Sequence, residues 1–198
     1  MKKMNLPNKL TLLRIILVPF VIASILNYFP FHFLVAGILF SIASITDALD
    51  GKIARRDNLI TDFGKFADPL ADKILVISVL VCFVKLGLCG AVPLIIIIFR
   101  EFTVTSVRLV AAAKGKVISA NMWGKIKTVS QIVAIVAIFL MQFADEIMWG
   151  ITSLGTVEPE LFNIFNIIGQ VLLWIVAIIT VISGVKYLVD NKEVISDM

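Results

Sequence analysis

Four carboxylates close together in the sequence are the residues best suited to chemistry. Asp47 and Asp50 are three residues apart, and Asp68 and Asp72 are four apart, so on helices the members of each pair share one face. Each pair adjoins an apolar run. A charged side chain inside a membrane costs roughly 3 kcal/mol at the bilayer centre and usually marks a functional site. The pattern therefore indicates a functional site at the margin of a membrane.

The types of these residues favour a site for hard metal ions. Acids that converge without matching positive charge repel one another unless cations neutralise them. Mg²⁺ and Mn²⁺ both prefer carboxylate oxygens, and such a site can hold two metal ions close together. The sequence contains one histidine, His32, and it is predicted at the opposite membrane face. We therefore expect a two-metal carboxylate site.

The residues that follow the first pair suit a phosphate-containing ligand. Gly51 comes directly after Asp50, and Arg55 is four residues further on. A glycine lets the backbone approach a ligand closely, and a guanidinium can bind two phosphate oxygens at once. The metal site is therefore expected to lie beside a bound phosphate.

The composition predicts a membrane domain as the scaffold for these acids. Of the 198 residues, 60% are hydrophobic, and the mean hydropathy is +1.02, whereas soluble domains are about 45–50% apolar. We expect one all-α, polytopic domain over residues 1–198, with a short N-terminal interfacial helix before the first span. Apolar windows near the roughly 20 residues needed to cross a bilayer lie at 11–28, 33–50, 68–87, 91–112, 127–148 and 162–188.

The distribution of basic residues predicts the orientation of this domain. Lysine and arginine residues are concentrated before the first window, between the second and third, between the fourth and fifth, and at the end of the chain. The only lysine or arginine in the other connections is Lys85. The positive-inside rule then places both termini and the acids at the cytoplasmic face of the cell membrane. The net charge of +4 thus favours anionic lipids and phosphorylated substrates as partners, and no nucleic-acid-binding motif is present.

The acidic segment also matches a known signature, and the matched residues resemble the complete motif of the CDP-alcohol phosphotransferases. This resemblance implies six transmembrane helices, a homodimer, and metal-dependent transfer of a phosphatidyl group from CDP-diacylglycerol to an alcohol, with release of CMP. The motif reads Asp47-x-x-Asp50-Gly51-x-x-Ala54-Arg55, then eight residues, then Gly64-x-x-x-Asp68-x-x-x-Asp72.

The same resemblance implies a role for each matched position. Asp47, Asp50 and Asp68 would hold one divalent metal ion, and Asp47, Asp68 and Asp72 would hold the other. Asp72 would also accept the proton of the acceptor hydroxyl. The residues implied at the CDP-diacylglycerol site are Asn8, Thr11, Asp50, Gly51, Ala54, Arg55, Thr61 and Gly64. Capping of a helix is the alternative role for Asn8 and Thr11.

Segments outside the signature indicate which alcohol accepts the phosphatidyl group. NLPNKLTLLRIILVPF, DPLADK, REFTVTSVR and WGKIKTVSQ are similar to segments of bacterial phosphatidylglycerophosphate synthases, which implies sn-glycerol 3-phosphate as the acceptor. An acceptor that carries its own phosphate needs cations to bind it. The candidates flank one cytoplasmic connection and are Arg108, Lys114, Lys125 and Lys127; their alternative role is to set the membrane orientation.

Other interpretations remain open at this point. Inositol phosphate, serine or phosphatidylglycerol as the acceptor would leave the signature unchanged. A cation transporter would use the acids as an ion path, but transporters bind ions near the middle of the membrane, whereas these acids gather at one face. Arg100 and Glu101 are expected to form a local ion pair.

Overall fold

The computed structural model describes residues 5–56, 62–113, 122–152 and 160–192, and the side chains within these ranges at 8–47, 70–112, 122–148 and 164–192. These residues form six α-helices and, in the described ranges, no strand. The helices are α1 (Leu6–Leu26), α2 (His32–Arg56), α3 (Asp62–Lys85), α4 (Ala91–Ala113), α5 (Met122–Thr152) and α6 (Glu160–Asp190). The prediction of an all-α chain is confirmed for this part of the protein.

Helix α1 packs against both α2 and α3. Along α1, residues three or four apart in sequence share a face, and one such face is buried while Leu12, Leu13 and Ile16 on the other faces are exposed. The amino-terminal half of the buried face is polar and the carboxy-terminal half is apolar. Its members are Asn8, Thr11, Arg14, Val18, Val21 and Ile25.

The apolar core continues from α1 into the middle of the bundle. The Phe139 ring on α5 lies 5.2 Å from the Phe83 ring on α3 and 5.9 Å from the Phe40 ring on α2, between ring centroids. All three rings are buried. Helices α1, α2 and α3 pack against one another on one side of the bundle. Helix α6 packs against α4 and α5 on the other side, and α5 also packs against α2.

Helix α3 ends in a turn that local sequence explains. Gly87 has a φ of +74°, a conformation that favours glycine because it has no Cβ. The Leu88 amide donates to the Phe83 carbonyl at 2.9 Å, and the Gly87 amide donates to the Val84 carbonyl at 3.1 Å. This is the Schellman arrangement, which satisfies carbonyls left over at a helix end, and it reverses the chain toward α4.

Within the described residues, three helices contain stretches that are long and apolar enough to cross a membrane: Asn8–Leu26, Met122–Met148 and Ile164–Asp190. Large apolar side chains also face outward, since Phe20, Phe99 and Leu109 are 57%, 72% and 71% exposed. Apolar surface of this kind is normally covered, and a bilayer would cover it. The structure therefore supports a membrane protein, and the six-span count remains a prediction.

The predicted interfacial helix is not seen as a separate element among the described residues. Helix α1 runs without a break from Leu6 to Leu26, although it contains Pro19. Residues that were expected to lie on the membrane surface therefore belong to the same helix as the first apolar window.

Candidate active site

The polar end of α1 provides a buried platform for the site. Asn8 is 8% exposed, and Thr11 and Arg14 are fully buried. The three residues follow one another at intervals of three, so they lie on the face of α1 that packs against α2 and α3. Asn8 and Thr11, predicted as nucleotide contacts, are therefore inside the bundle.

Arg14 connects α1 to the first predicted metal ligand. Its Nη1 atom lies 2.7 Å from Oδ1 of Asp47, and its Nε donates to the Ala43 carbonyl at 3.3 Å. The Arg14 side chain is fully buried, whereas the Asp47 side chain is 38% exposed. One oxygen of the Asp47 carboxylate is thus fixed by α1, and the side chain remains partly exposed.

Asp72 lies in a charged environment that several helices supply. The groups that interact with its carboxylate electrostatically are the acid Glu101 on α4 and the cations Arg14, Lys127 and Lys73. Arg14 therefore acts on both Asp47 and Asp72, which are 25 residues apart in sequence. The two described members of the predicted cluster therefore both interact electrostatically with one buried guanidinium.

Glu101 is the centre of a second group of charges next to Asp72. The carboxylate oxygen Oε1 lies 2.6 Å from Nζ of Lys127 and 2.9 Å from Nη1 of Arg100. Arg100 also donates from Nη2 to the Ser183 hydroxyl at 2.9 Å. The local pair of Arg100 and Glu101 is confirmed, and the structure adds a contact to α5 and one to α6.

Lys73 extends this group from α3 to α4. It follows Asp72 directly and donates from Nζ to the hydroxyl of Thr105. Thr105 in turn donates to the Glu101 carbonyl at 2.7 Å. Lys73 therefore places a positive charge beside Asp72, and its hydrogen bond to Thr105 connects α3 to α4, the helix that carries Glu101.

Sequence reasoning did not assign Arg14, Lys73 or Glu101 to the site. A signal existed for Arg14, since an arginine inside an apolar helix is costly unless it is paired. Positive charge at a membrane margin also serves to orient the chain, so the sequence alone did not separate the two roles. The Arg100 partner of Glu101 was predicted because the two residues are adjacent, but Lys127 comes from α5 and spacing along the chain does not predict its contact with Glu101.

The predicted acceptor-binding cations are in different surroundings. Lys127 is 3% exposed and paired with Glu101, whereas Lys125 is exposed. Arg108 is exposed, donates from Nε to the Tyr187 hydroxyl at 3.3 Å, and lies over the same ring at 5.3 Å from its centroid. Lys114 lies outside the described residues, so these four positions remain predictions.

Much of the signature falls where the structure gives no side chains. Thr61 lies outside the described residues, and the other positions are given by backbone alone: Asp50, Gly51, Ala54 and Arg55 in α2, and Gly64 and Asp68 in α3. The backbone places them on the two helices that carry Asp47 and Asp72. The contacts of their side chains remain predictions from the sequence.

The donor set is chemically suited to divalent metal ions. Among the described residues no group of three or more His, Cys, Asp or Glu side chains is placed to hold a metal, and two of the four predicted ligands, Asp50 and Asp68, lie outside that search. Asp47 and Asp72 supply hard oxygen atoms around the same arginine. Carboxylate oxygens are the donors that Mg²⁺ and Mn²⁺ prefer, so the residues fit the expected ions.

Comparisons with known proteins show what this chain is similar to. The family model described as CDP-alcohol phosphatidyltransferase matches residues 4–182. A protein of Bacillus subtilis (strain 168) named CDP-diacylglycerol–glycerol-3-phosphate 3-phosphatidyltransferase is 41% identical over 96% of each chain. Proteins of the same name are 35% identical in Rickettsia bellii, over 96% of each chain, and 33% identical in Haemophilus influenzae, over 98% of this chain and 97% of that one.

Proposed function

Because the chain belongs to the CDP-alcohol phosphatidyltransferase family, we propose that it transfers the phosphatidyl group of CDP-diacylglycerol to sn-glycerol 3-phosphate. The products are phosphatidylglycerophosphate and CMP, in the synthesis of phosphatidylglycerol-type lipids. The observation that carries this proposal is the 41% identity, along 96% of each chain, to a protein with that activity in its name. The segments similar to phosphatidylglycerophosphate synthases support the same acceptor.

The metal-binding role belongs to the four acids of the signature. Asp47, Asp50, Asp68 and Asp72 would hold two divalent ions, either Mg²⁺ or Mn²⁺. When bound, such ions neutralise charge on the pyrophosphate of CDP-diacylglycerol and on the departing CMP. Arg14 supports this role because its Nη1 atom lies 2.7 Å from one oxygen of Asp47, whose side chain is 38% exposed.

The transfer exchanges one phosphorus–oxygen bond for another. The 1-hydroxyl oxygen of glycerol 3-phosphate attacks the phosphorus that bears diacylglycerol, and the bond from that phosphorus to CMP breaks. Asp72 accepts the hydroxyl proton. Lys73, Lys127 and Arg14 place positive charge near the Asp72 carboxylate, and Glu101 places negative charge near it. Glu101 is itself neutralised by Lys127 and Arg100.

The acceptor phosphate would be bound at the α4–α5 end of the site. Arg108 and Lys125 are exposed there, and Lys114 belongs to the same connection in the sequence. Lys127 is buried against Glu101, so its contribution to phosphate binding would be electrostatic or would require the pair to open. CDP-diacylglycerol would be held by Asn8, Thr11, Thr61 and the signature residues after Asp47.

The membrane arrangement that accompanies this function has six spans. The three long apolar helices and the clustering of basic residues on one side support a multi-pass protein whose termini and active site face the cytoplasm. That orientation would expose the site to soluble glycerol 3-phosphate while the acyl chains of CDP-diacylglycerol stay in the bilayer. We also propose a homodimer, on family resemblance.

A direct assay tests the activity and its acceptor. Purified protein in detergent would receive CDP-diacylglycerol, Mg²⁺ and labelled glycerol 3-phosphate, with unlabelled serine or inositol as competitors. We expect label in phosphatidylglycerophosphate, equimolar CMP, and no competition by either alcohol. The proposed acceptor would be overturned if the label did not enter lipid, or if the phosphatidyl group were transferred to serine or inositol in preference to glycerol 3-phosphate.

The variant Asp72→Asn separates catalysis from folding in the same assay. The amide keeps the size of the side chain but cannot accept the hydroxyl proton, so CMP release should fall to background while the thermal unfolding midpoint stays close to that of the parent. Turnover at the parental rate in Asp72→Asn would remove Asp72 from its assigned role.

A further inference from the structure

A cavity lies at the end of the bundle opposite the acidic cluster. His32 begins α2 and lies 15 residues before Asp47, which is about 22 Å along a helix. Asp145 on α5 lies 18 residues after Lys127, about 27 Å along the same helix. Both residues line a cavity of about 690 Å³, so this cavity is separate from the proposed transfer site.

The walls of this distal cavity combine aromatic rings with two acids. Tyr28 and Phe29 are 88% and 40% exposed at its edge, and the His32 ring packs against both at centroid distances of 5.4 and 5.9 Å. Asp145 and Glu146 supply the charge, and no lysine or arginine is among the described residues of the lining. The cavity is therefore suited to a positively charged group that also has apolar neighbours.

Asp145 is the acid of the cavity whose carboxylate is available to a ligand. It is only 9% exposed, it lines the cavity, and within the described part of the chain its carboxylate has no hydrogen bond or ion pair. A buried charged group without a partner is costly. Asp145 therefore offers hydrogen-bond acceptors that the protein itself leaves unused.

Glu146 provides a second acceptor beside it. Its Oε1 accepts the His32 amide hydrogen at 3.2 Å and lies 3.5 Å from Nε2 of the same residue. Its Oε2 is buried and has no hydrogen-bond donor among the described residues. The contacts of Oε1 fix the side chain, which is 20% exposed and lines the cavity.

These observations identify the kind of ligand. The unused atoms are all acceptors, so the ligand must donate hydrogen bonds and carry positive charge. The described residues contain no group of three metal-ligating side chains, and the aromatic rim suits an organic cation better than a metal ion. We propose that the distal cavity binds a primary ammonium group, with Asp145 and Glu146 as its acceptors.

Two sources can supply that group, and they share its chemistry. One is the ethanolamine headgroup of a membrane lipid, since an exposed tyrosine such as Tyr28 is typical of the boundary between bilayer and water. The other is a free amine from the solution. The inference does not depend on the proposed transferase activity, because the cavity is at the other end of the bundle.

Binding of a soluble amine is tested with the full chain in a neutral maltoside detergent. Saturation-transfer NMR and thermal unfolding would be recorded with ethylammonium chloride, tetramethylammonium chloride and sodium chloride at equal ionic strength. We expect saturation transfer to ethylammonium and a higher unfolding midpoint with that salt than with the other two. Tetramethylammonium has the charge but no N–H group, so it separates hydrogen bonding from simple charge screening.

Retention of lipid is tested by native mass spectrometry after exposure to an equal mixture of phosphatidylethanolamine and phosphatidylcholine. Preferential retention of phosphatidylethanolamine indicates the lipid headgroup as the source, and an ethylammonium effect without that preference indicates a free amine. Absence of both effects in the parent protein overturns the proposal.

Asp145→Asn should weaken ethylammonium binding by at least about tenfold, since it removes a charged acceptor. Asp190→Asn, at an exposed acid on α6, is the matched control and should bind as the parent does. Transferase activity should be unchanged in both variants. Equal binding by Asp145→Asn and the parent would remove Asp145 from the site and overturn the assignment.

Discussion

Arg14 is the residue whose role the structure changes most. A guanidinium with no exposed surface is normally retained only with close partners, and Arg14 has the Asp47 carboxylate at 2.7 Å and the Ala43 carbonyl at 3.3 Å. It also interacts electrostatically with Asp72, so it positions Asp47 and contributes to the charge balance of both acids. We interpret Arg14 as a positioning residue for the predicted metal site.

Replacement of Arg14 should therefore weaken metal binding. Groups that orient a metal ligand typically contribute about 10- to 100-fold to metal affinity, so Arg14→Gln should bind Mn²⁺ that much more weakly. Arg14→Lys keeps the charge but not both contacts and should be intermediate. Electron paramagnetic resonance of free Mn²⁺ measures the affinity without any turnover.

The control for that experiment is Lys9→Gln, at an exposed lysine on the same helix. This variant should bind Mn²⁺ like the parent protein. Parental affinity in Arg14→Gln would show that Asp47 keeps its position without the guanidinium.

Cys89 gives a prediction about pH. Its thiol lies between α3 and α4, is 5% exposed, and donates to the Gly90 carbonyl at 3.1 Å; burial raises its pKa to about 11. Only the thiolate reacts with maleimide, and it forms as the pH rises toward the pKa. At pH 8 about one thiol in a thousand would be ionised, against about a quarter for an ordinary cysteine.

The maleimide rate in a Cys82→Ala background should therefore still be rising at pH 10. In denaturant the maleimide reaction rate of the same thiol should level off at a lower pH, near the ordinary cysteine pKa of about 8.5. A native rate that levels off by pH 9 would contradict the effect of burial.

At the scale of elements, the contact between α4 and α6 depends on a glycine. A Cβ added to Gly184 would lie 2.9 Å from Cγ of Arg100, which is too close. Arg100 is held on both sides, by Glu101 at 2.9 Å and by Ser183 at 2.9 Å, so it has little freedom to move away. The close approach of these helices positions Arg100 against Glu101 and, through Glu101, Lys127.

Gly184→Ala should lower the free energy of unfolding by about 1–3 kcal/mol, as is usual for overpacking. Gly90→Ala is the control, since its added Cβ would lie 3.4 Å from Pro93 Cδ, an ordinary contact. Thermal unfolding in detergent compares the two variants. Equal stability of Gly184→Ala and the parent would mean that α4 and α6 adjust without cost.

The helix α1 shows how far sequence determines an element. Its apolar run predicted a helix, which the structure confirms at Leu6–Leu26. Its buried polar face follows from the spacing of Asn8, Thr11 and Arg14, but the partners of that face follow from packing against α2 and α3. A helix fixes which side chains share a face, and neighbouring helices decide what that face contacts.

At the scale of the whole molecule, the two ends of the bundle differ in charge. The end that carries Asp47 and Asp72 also holds Arg14, Lys73 and Lys127, and the other end holds Asp145 and Glu146 around the distal cavity. This asymmetry supports the orientation proposed from the positive-inside rule.

Reporter fusions test that orientation. Green fluorescent protein fused after Met198 should fluoresce, because it folds in the cytoplasm, and alkaline phosphatase at the same position should be inactive. Alkaline phosphatase inserted after Gly87, in the α3–α4 connection, should be active. The reverse pattern would place the acidic cluster on the outer face and contradict the use of cytoplasmic glycerol 3-phosphate.

The sequence by itself determined the kind of chemistry, the helical class and the family, because spacing of acids and runs of apolar residues are local properties. Only the tertiary structure decided that Arg14 binds Asp47, 33 positions away, and that Glu101 joins Lys127 to Arg100. It also placed Asp145 without a described partner in a cavity at the far end of the bundle. Such contacts depend on the angles and distances at which helices pack, and these arise from the whole set of side chains between them.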